Sequence, residues 1–217
     1  ALRLVYGEAD GLPGLILDRY GDVLVYQITT LGMSLIEDHL RELLIDIFKP
    51  QALIYRNDTK ARGIENLPLE KGVAYGCIPE PFRVRMHELV FELDPLEGQK
   101  TGFFLDQRDN REALRRWVRG KTVLDLYCYD GAWSLTAASA GAAETIGVDS
   151  SASAVARAER NARHNNLAQC RFIEDDVVGF LKGLDKRTFD VVVLDPPAFA
   201  KTRSATEQAV KGYIDAN

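Results

Sequence analysis

The chain is poor in sulfur-containing residues and in long apolar runs. Its 217 residues include three cysteines, Cys77, Cys128 and Cys170, and two methionines. The cysteines lack metal-ligand spacing, so neither a disulfide framework nor a metal site is expected, and each is predicted to be a small buried side chain. No apolar run is long enough to span a bilayer, and no secretory pattern is present. We therefore expect a cytoplasmic protein without a membrane partner.

An excess of positive charge is also missing. The chain has 27 Lys and Arg residues against 32 Asp and Glu residues, a net charge of −5. Neutralisation of phosphates supplies much of the affinity of RNA-binding proteins, so RNA binding would need a local basic surface. Two clusters could form one, namely Lys60, Arg62, Arg83 and Arg85, and Arg108, Arg111, Arg115, Arg116 and Arg119. The second cluster is equally typical of a solvated helix face.

Four apolar segments predict a parallel sheet in the second half of the chain. They are residues 121–127, 145–148, 170–173 and 190–194, and helical or turn sequence follows each. Acidic residues lie near their carboxyl ends, namely Asp125, Asp149, Asp176 and Asp195. Because ligands of open α/β sheets bind at that end, the pattern favours a nucleoside-binding, Rossmann-like sheet. Taken singly, each acid could also cap a helix.

The predicted loops suggest which nucleoside groups are bound. Asp149 could accept both hydroxyls of a ribose, and a carboxylate such as Asp176 could accept the amino group of adenine. Gly131 would let the backbone come close to a bound group. Tyr127 and Tyr129 replace the first glycines of a dinucleotide fingerprint, which argues against NAD and against a pyrophosphate ligand.

The most informative segment is the Asp195–Phe199 stretch, which follows the last predicted strand. A carboxylate, two stiff prolines and an aromatic ring could hold a flat, amino-bearing base edge-on and stack on its face. The segment resembles motif IV of the base-modifying methyltransferases that use S-adenosylmethionine. The alternative interpretation is a strand followed by a proline-rich turn.

A longer resemblance begins upstream, at Gly98–Arg111 (GQKTGFFLDQRDNR). On physical grounds this segment is only a capped amphipathic helix after a polar loop. As a string it resembles the signature of the ribosomal RNA large-subunit methyltransferase I family, the 23S rRNA (cytosine-5) methyltransferases. Further matching segments are Arg3–Gly21, Asp125–Gly131, Asp149, Asp176–Val177 and Asp195–Phe199.

The resemblance implies a fold, a cofactor and a set of cofactor residues. Residues 98–217 would form a class I methyltransferase domain that is incomplete at its C-terminal side, and residues 1–97 a small α+β central domain. The RNA-binding PUA domain and three later strands of the family would be missing, so a fragment is expected. The residues expected around S-adenosylmethionine are Thr101, Phe103, Arg108, Asp125, Tyr127, Tyr129, Gly131, Asp149, Ser150, Asp176, Val177 and Asp195.

The resemblance also implies a reaction. Asp195, Pro196, Pro197 and Phe199 would hold the base of ribosomal RNA, most simply a cytosine of 23S rRNA. C5 of cytosine is a weak nucleophile and needs a thiolate at C6, and the family places that cysteine beyond Asn217. Cys128 is a weaker candidate because it follows the wrong strand. Methylation of guanine N7 or adenine N6, a non-catalytic S-adenosylmethionine or RNA-binding module, and a homodimer stay open.

Overall fold

The computed structural model describes residues 1–184 and 189–197 of the chain. The chain divides into two compact units, Ala1–Gln107 and a second unit that starts at Arg108. The boundary predicted from the sequence, between Glu97 and Gly98, lies earlier in the chain, within the first unit.

The first unit is built on one mixed sheet with strands in chain order. Its strands are β1 (Leu2–Tyr6), β2 (Leu15–Tyr20), β3 (Val23–Ile28), β4 (Ala52–Asn57) and β5 (Glu70–Gly76), and the hairpin of β6 (Arg83–Met86) and β7 (Leu89–Glu92) follows. Only β3 and β4 pair in parallel. A parallel pair requires a crossover, and two helices, α1 (Leu31–Ser34) and α2 (Glu37–Phe48), supply it.

Two details of this unit differ from the sequence-based expectation. The apolar spacing over residues 33–48 predicts a single helix, but the chain leaves helical angles at Ile36, whose φ and ψ are −110° and 12°. Strand β5 was not predicted at all. It contains Gly72 and Gly76 and is largely exposed, so it lacks the apolar alternation of a half-buried strand.

The described residues of the second unit form a four-stranded, all-parallel sheet with helices between its strands. Its elements are α3 (Arg108–Leu114), β8 (Thr122–Leu126), α4 (Ala132–Ser139), β9 (Glu144–Asp149), α5 (Ala152–His164), β10 (Cys170–Glu174), α6 (Val177–Lys182) and β11 (Val191–Leu194). The strand order is β10-β9-β8-β11. The predicted α/β, Rossmann-like parallel sheet is therefore confirmed.

The strand order places a ligand crevice at a defined point. From β8 the chain moves outward to β9 and β10 and then returns to the other side of β8 with β11. The direction of winding thus reverses between β8 and β11. In open α/β sheets, ligands bind at such a switch point, outside the carboxyl ends of the strands.

Apolar packing on both faces holds this sheet in place. Leu124 and Leu126 of β8 pack on one face with Val177 of α6, while Val123 packs on the other with Ala137 of α4. Neighbouring residues of a strand point to opposite faces, so a continuous apolar run is needed when both faces are covered. In the described residues, no helix is both long and apolar enough to cross a membrane.

Candidate functional site

The loop from β8 to α4 has an unusual backbone. Three of its residues have positive φ angles, Tyr127 at 62°, Tyr129 at 47° and Gly131 at 77°. A tyrosine in the left-handed region costs on the order of 1 kcal/mol and persists only where its surroundings enforce it. Such strained residues concentrate at functional sites, and this loop lies at the switch point of the sheet.

Helix α5 and strand β10 enforce the shape of this loop. The Arg157 guanidinium donates to Asp130 Oδ1 at 2.7 Å and lies 5.8 Å from the centre of the Tyr129 ring. The Asn161 amide donates to the Asp130 carbonyl at 3.2 Å. A Cβ on Gly131 would lie 2.8 Å from the Phe172 ring. Glycine is therefore required at this position for packing as well as for backbone angle.

Asp149, at the end of β9, is fixed by backbone donors from two loops. Its Oδ2 accepts the N–H of Tyr129 and its Oδ1 accepts the N–H of Ser151, both at 2.9 Å. A carboxylate oxygen has two lone pairs, so each oxygen keeps one acceptor position. The side chain is partly exposed, and Ser150 beside it is exposed. The geometry therefore leaves Asp149 able to accept two hydroxyls.

Asp125 has a different environment from the other acids. It is fully buried, and its Oδ2 accepts both the backbone N–H and the hydroxyl of Ser134, at 3.0 and 2.8 Å. Within the described part of the chain, its Oδ1 has no hydrogen-bond partner. Burial is the main cause that raises the pKa of Asp125 to about 7, and the charges of Asp195 and Asp149 also raise it. The two hydrogen bonds from Ser134 lower the pKa but do not offset burial. Asp125 thus ties β8 to the start of α4 from beneath the loop.

Asp195 follows β11 on the other side of the switch point. Its Oδ2 accepts the indole N–H of Trp133, in the first turn of α4, at 3.1 Å. Pro196 is partly buried and Pro197 is exposed. Phe199, predicted to stack on the base, lies outside the described residues. Trp133 was missed in the sequence, although an aromatic donor two residues after Gly131 was a signal for it.

The end of β10 combines a helix cap with the apolar core. Asp176 is exposed and caps α6, its Oδ2 accepting the N–H of Gly179 at 2.8 Å. Val177 is buried, and Tyr127 packs against the same core cluster. Burial and then the charge of Asp176 raise the pKa of Tyr127. The capping alternative thus holds for Asp176, and a role toward adenine stays a prediction.

Three predicted cofactor residues belong to other elements than the strand ends of this sheet. In the first unit, the buried Thr101 hydroxyl donates to Asp18 Oδ2 at 2.5 Å, and Phe103 packs on Phe91 with ring centres 5.1 Å apart. Arg108 starts α3 of the second unit and pairs with Asp109 at 2.9 Å. Their assignment to the cofactor stays a prediction.

The cysteines of the second unit are poor nucleophiles. Cys128 is only 3% exposed, and burial, reinforced by the charges of Asp125 and Asp149, raises its pKa well above the ordinary thiol value. Burial also raises the pKa of Cys170 to about 11. Both thiols therefore stay protonated at neutral pH. In residues 1–184 and 189–197, no group of three His, Cys, Asp or Glu side chains could hold a metal ion.

A surface cavity of about 650 Å³ lies elsewhere on the second unit. The end of α5 and the start of β10 line it, including Arg163, Asn166 and Arg171. It is therefore at the amino end of β10, whereas the acids described above follow the carboxyl ends of their strands. It contains none of the predicted site residues, and the crevice at the switch point is the better candidate site.

The acids at the switch point share one electrostatic property. Asp125, Asp149 and Asp195 accept hydrogen bonds from hydroxyl, indole and backbone groups. Within the described residues, none of the three pairs with a lysine or an arginine. The partly exposed Asp149 and Asp195 thus form an acidic edge that suits a cationic ligand, and S-adenosylmethionine carries a positively charged sulfonium. The residues present therefore fit this cofactor.

Comparison with known proteins supports that fit. The family model of the S-adenosylmethionine-dependent methyltransferases matches residues 73–214. A protein of Shewanella denitrificans is 41% identical over 99% of this chain and 55% of its own length. One of Aeromonas hydrophila is 39% identical over 99% of this chain and 56% of its own length. Both are named ribosomal RNA large subunit methyltransferase I, and the chain spans about half of each.

Solved structures agree with this result. A protein described as a methyltransferase and complexed with SAH is 27% identical, with a TM-score of 0.80 over 93% of this chain and 52% of that one. An S-adenosylmethionine-dependent methyltransferase from Agrobacterium tumefaciens is 25% identical, with a TM-score of 0.63 over 86% of this chain and 58% of that one. Since the family model matches more than half of the sequence, the chain belongs to the S-adenosylmethionine-dependent methyltransferases.

Proposed function

We propose that this protein methylates a base of large-subunit ribosomal RNA, at C5 of a cytosine in 23S rRNA. The observation that carries the proposal is the position of Asp195 and its two prolines, beside the braced loop at the switch point. The relatives that are about 40% identical and named ribosomal RNA large subunit methyltransferase I support the RNA substrate. Such a substrate would be met in the cytoplasm.

On the cofactor side, the residues of β9 and β10 bind the nucleoside. Asp149 accepts the two ribose hydroxyls with its remaining lone pairs, while the N–H groups of Tyr129 and Ser151 hold its carboxylate still. Asp176 accepts the amino group of adenine. When bound, S-adenosylmethionine supplies an electrophilic methyl group. The uncompensated charges of Asp149 and Asp195 attract its cationic centre to this edge.

On the substrate side, Asp195 recognises the edge of the base. Trp133 donates to Oδ2, which leaves both acceptor positions of Oδ1 for an exocyclic amino group such as N4 of cytosine. The two prolines restrict the backbone that carries this carboxylate. A base in a stacked helix cannot reach the site, so the target must be unpaired or extruded.

The choice of C5 depends on a thiolate. The raised pKa values of Cys128 and Cys170 argue against both of them. The nucleophile is therefore proposed to be the cysteine that the family resemblance places beyond Asn217. Methylation of guanine N7 or adenine N6 needs no thiolate, and the Asp195–Pro197 geometry suits it too, so the product must decide.

The test is to identify the methylated nucleoside. The full protein is incubated with isotopically labelled S-adenosylmethionine and either 23S or 16S rRNA, and the digested nucleosides are separated by mass spectrometry. We expect label in 5-methylcytidine from 23S rRNA alone. Label in 7-methylguanosine or N6-methyladenosine would reject C5, and label in 16S rRNA alone would reject the large subunit. Cofactor binding without transfer to either RNA would indicate a non-catalytic module.

A further inference from the structure

The acid of the Asp195–Pro197 segment lacks one local means of holding a carboxylate at the end of a strand, a hydrogen bond from the backbone N–H two residues on. Asp149 accepts the N–H of Ser151, two residues on, at 2.9 Å. Asp94 of the first unit, which a single proline follows, still accepts the N–H of Leu96 at 3.1 Å. Both are local side-chain to backbone bonds of the kind that fix Asp in turns.

Asp195 cannot form either of these bonds. The next two residues are Pro196 and Pro197, and proline has no backbone N–H. The second proline removes the donor two residues on, which for Asp94 is the N–H of Leu96. Among the described residues, the donor to Asp195 is the indole N–H of Trp133, at 3.1 Å and partly buried. A side chain from another element thus replaces the missing local bond.

The identity of this donor has a chemical consequence. Indole N–H is a neutral donor that cannot accept, so it orients Asp195 without cancelling its negative charge. A lysine or arginine in the same place would form an ion pair and weaken the carboxylate as an acceptor for a base. Trp133 also follows Gly131 closely in the first turn of α4, so the braced loop determines where its indole points.

We infer that Trp133 is a positioning residue that fixes the orientation of the Asp195 carboxylate through its indole N–H. This inference rests on the proposed function, in which Asp195 binds the base. The ring bonds Oδ2 and leaves Oδ1 directed at the substrate. Without the N–H, the carboxylate turns about its side-chain bonds and presents the acceptor correctly for only part of the time.

The bond is tested by NMR on the 217-residue chain, which has two tryptophans. Each indole N–H gives one signal in a ¹H–¹⁵N spectrum, and Trp117, 63% exposed, is an internal control. Asp195→Ala should shift the Trp133 signal and speed its exchange with solvent by about tenfold or more, while the Trp117 signal stays unchanged. A Trp133 signal that does not respond would overturn the inference.

The role is tested by kinetics on the full protein with labelled S-adenosylmethionine and rRNA. Trp133→Phe keeps a ring but removes the donor, and should lower kcat by about 10- to 100-fold while KM for the cofactor stays within about threefold. Trp117→Phe is the matched control and should match the wild type. A kcat within about twofold, or an equal loss of cofactor affinity, would overturn the role. If the wild type methylates no RNA, the proposed function fails, and the NMR result alone decides the positioning.

Discussion

The acids at the switch point of the second unit have a different kind of partner from the buried acids of the first unit. In the first unit, the fully buried Asp18 accepts two bonds from Arg3, each at 2.8 Å. Glu37 is also buried and accepts from Arg41 at 2.6 Å. The hydrogen bond to Asp18 raises the pKa of Arg3, and the charge of Asp18 raises it as well, whereas burial lowers it. Each of these acids is matched by a cation.

At the switch point of the second unit, the acids are not matched in this way. Asp125, Asp149 and Asp195 take hydrogen bonds from Ser134, from backbone N–H groups and from Trp133. Arg157, which lies against this loop, pairs with Asp130 instead. That pair braces the loop in the same way as the pairs of the first unit brace their sheet.

The difference separates structural acids from functional ones. A buried acid with a cation is electrically satisfied and stabilises the fold through a fixed geometry. An acid that is held by neutral donors is oriented without forming an ion pair, and we propose that Asp149 and Asp195, which are partly exposed, act on ligands from such a position. Four substitutions test this distinction, one acid at a time.

The largest expected effect is the pH dependence caused by Asp125. Its folded-state pKa of about 7 lies above the ordinary value of 3.8. As the pH rises, the unfolded chain therefore loses this proton before the folded protein does. The contribution of protonated Asp125 to the stability of the fold is complete below about pH 4 and is lost as the pH rises through about 7. Asp125→Asn removes this titration. Between pH 4 and pH 8, the variant should gain about 4 kcal/mol of unfolding free energy relative to the wild type.

Tryptophan fluorescence during urea unfolding is the suitable measurement. Both tryptophans, Trp117 and Trp133, belong to the second unit, so the signal reports on that unit alone. Parallel pH profiles for the two proteins would mean that Asp125 ionises normally when buried. The burial of Asp125 without a cation would then have no effect on its ionisation.

The second effect concerns chemistry rather than stability. In the full protein, Asp195→Ala should lower methyl transfer by about 10²- to 10³-fold, because a preorganised polar contact to the substrate is lost. The affinity for S-adenosylmethionine, measured by calorimetry, should stay within about threefold. Asp190→Ala, at the opposite end of the same strand and with a side chain that is 44% exposed, is the control and should be active. Comparable losses of activity and affinity would move Asp195 into the cofactor site.

The third effect tests the first unit. Asp18→Ala leaves Arg3 without its acid and removes the acceptor of the buried Thr101 hydroxyl. We expect the unfolding free energy of that unit to fall by about 3 kcal/mol. Hydrogen exchange of the backbone N–H groups in its strands measures this loss. Asp22→Ala is the control, since Asp22 is 79% exposed and lies 3.6 Å from Arg19. It should change stability by less than about 0.5 kcal/mol. Equal effects of the two substitutions would contradict a structural role for Asp18.

The sequence predicts the second unit better than the first for a physical reason. The strands of the parallel sheet are buried on both faces, so their composition alone marks them, as in Val191–Leu194. Strand β5 is largely exposed and interrupted by glycine, so composition does not distinguish it from a loop. Similarly, the break between α1 and α2 at Ile36 leaves the apolar spacing of the segment unchanged.

In the candidate site, the sequence predicts positions but not partners. Asp149 and Asp195 were expected at strand ends because a strand and its terminating residues are local features. The bond from Trp133 to Asp195 joins residues far apart in the chain, which no local pattern encodes. The pKa of Asp125 depends on burial beneath the loop, which is also a tertiary property.

The smallest effect is expected at Asp149. Asp149→Ala should weaken S-adenosylmethionine binding by about 1.5 to 3 kcal/mol, the contribution of a charge-assisted hydrogen bond to the ribose. The substitution also releases the N–H of Tyr129, so loosening of the loop must be separated from loss of the ribose contact. A cofactor analogue without the 2′- and 3′-hydroxyls makes that separation. If Asp149 binds the ribose, the analogue should bind the wild type and the variant about equally. A loosened loop would instead weaken binding of the cofactor and of the analogue to the variant by the same factor.

Asp175→Ala replaces an exposed acid beside the same edge, and this variant should bind the cofactor like the wild type. Unchanged calorimetric affinity in Asp149→Ala would show that the ribose is held elsewhere.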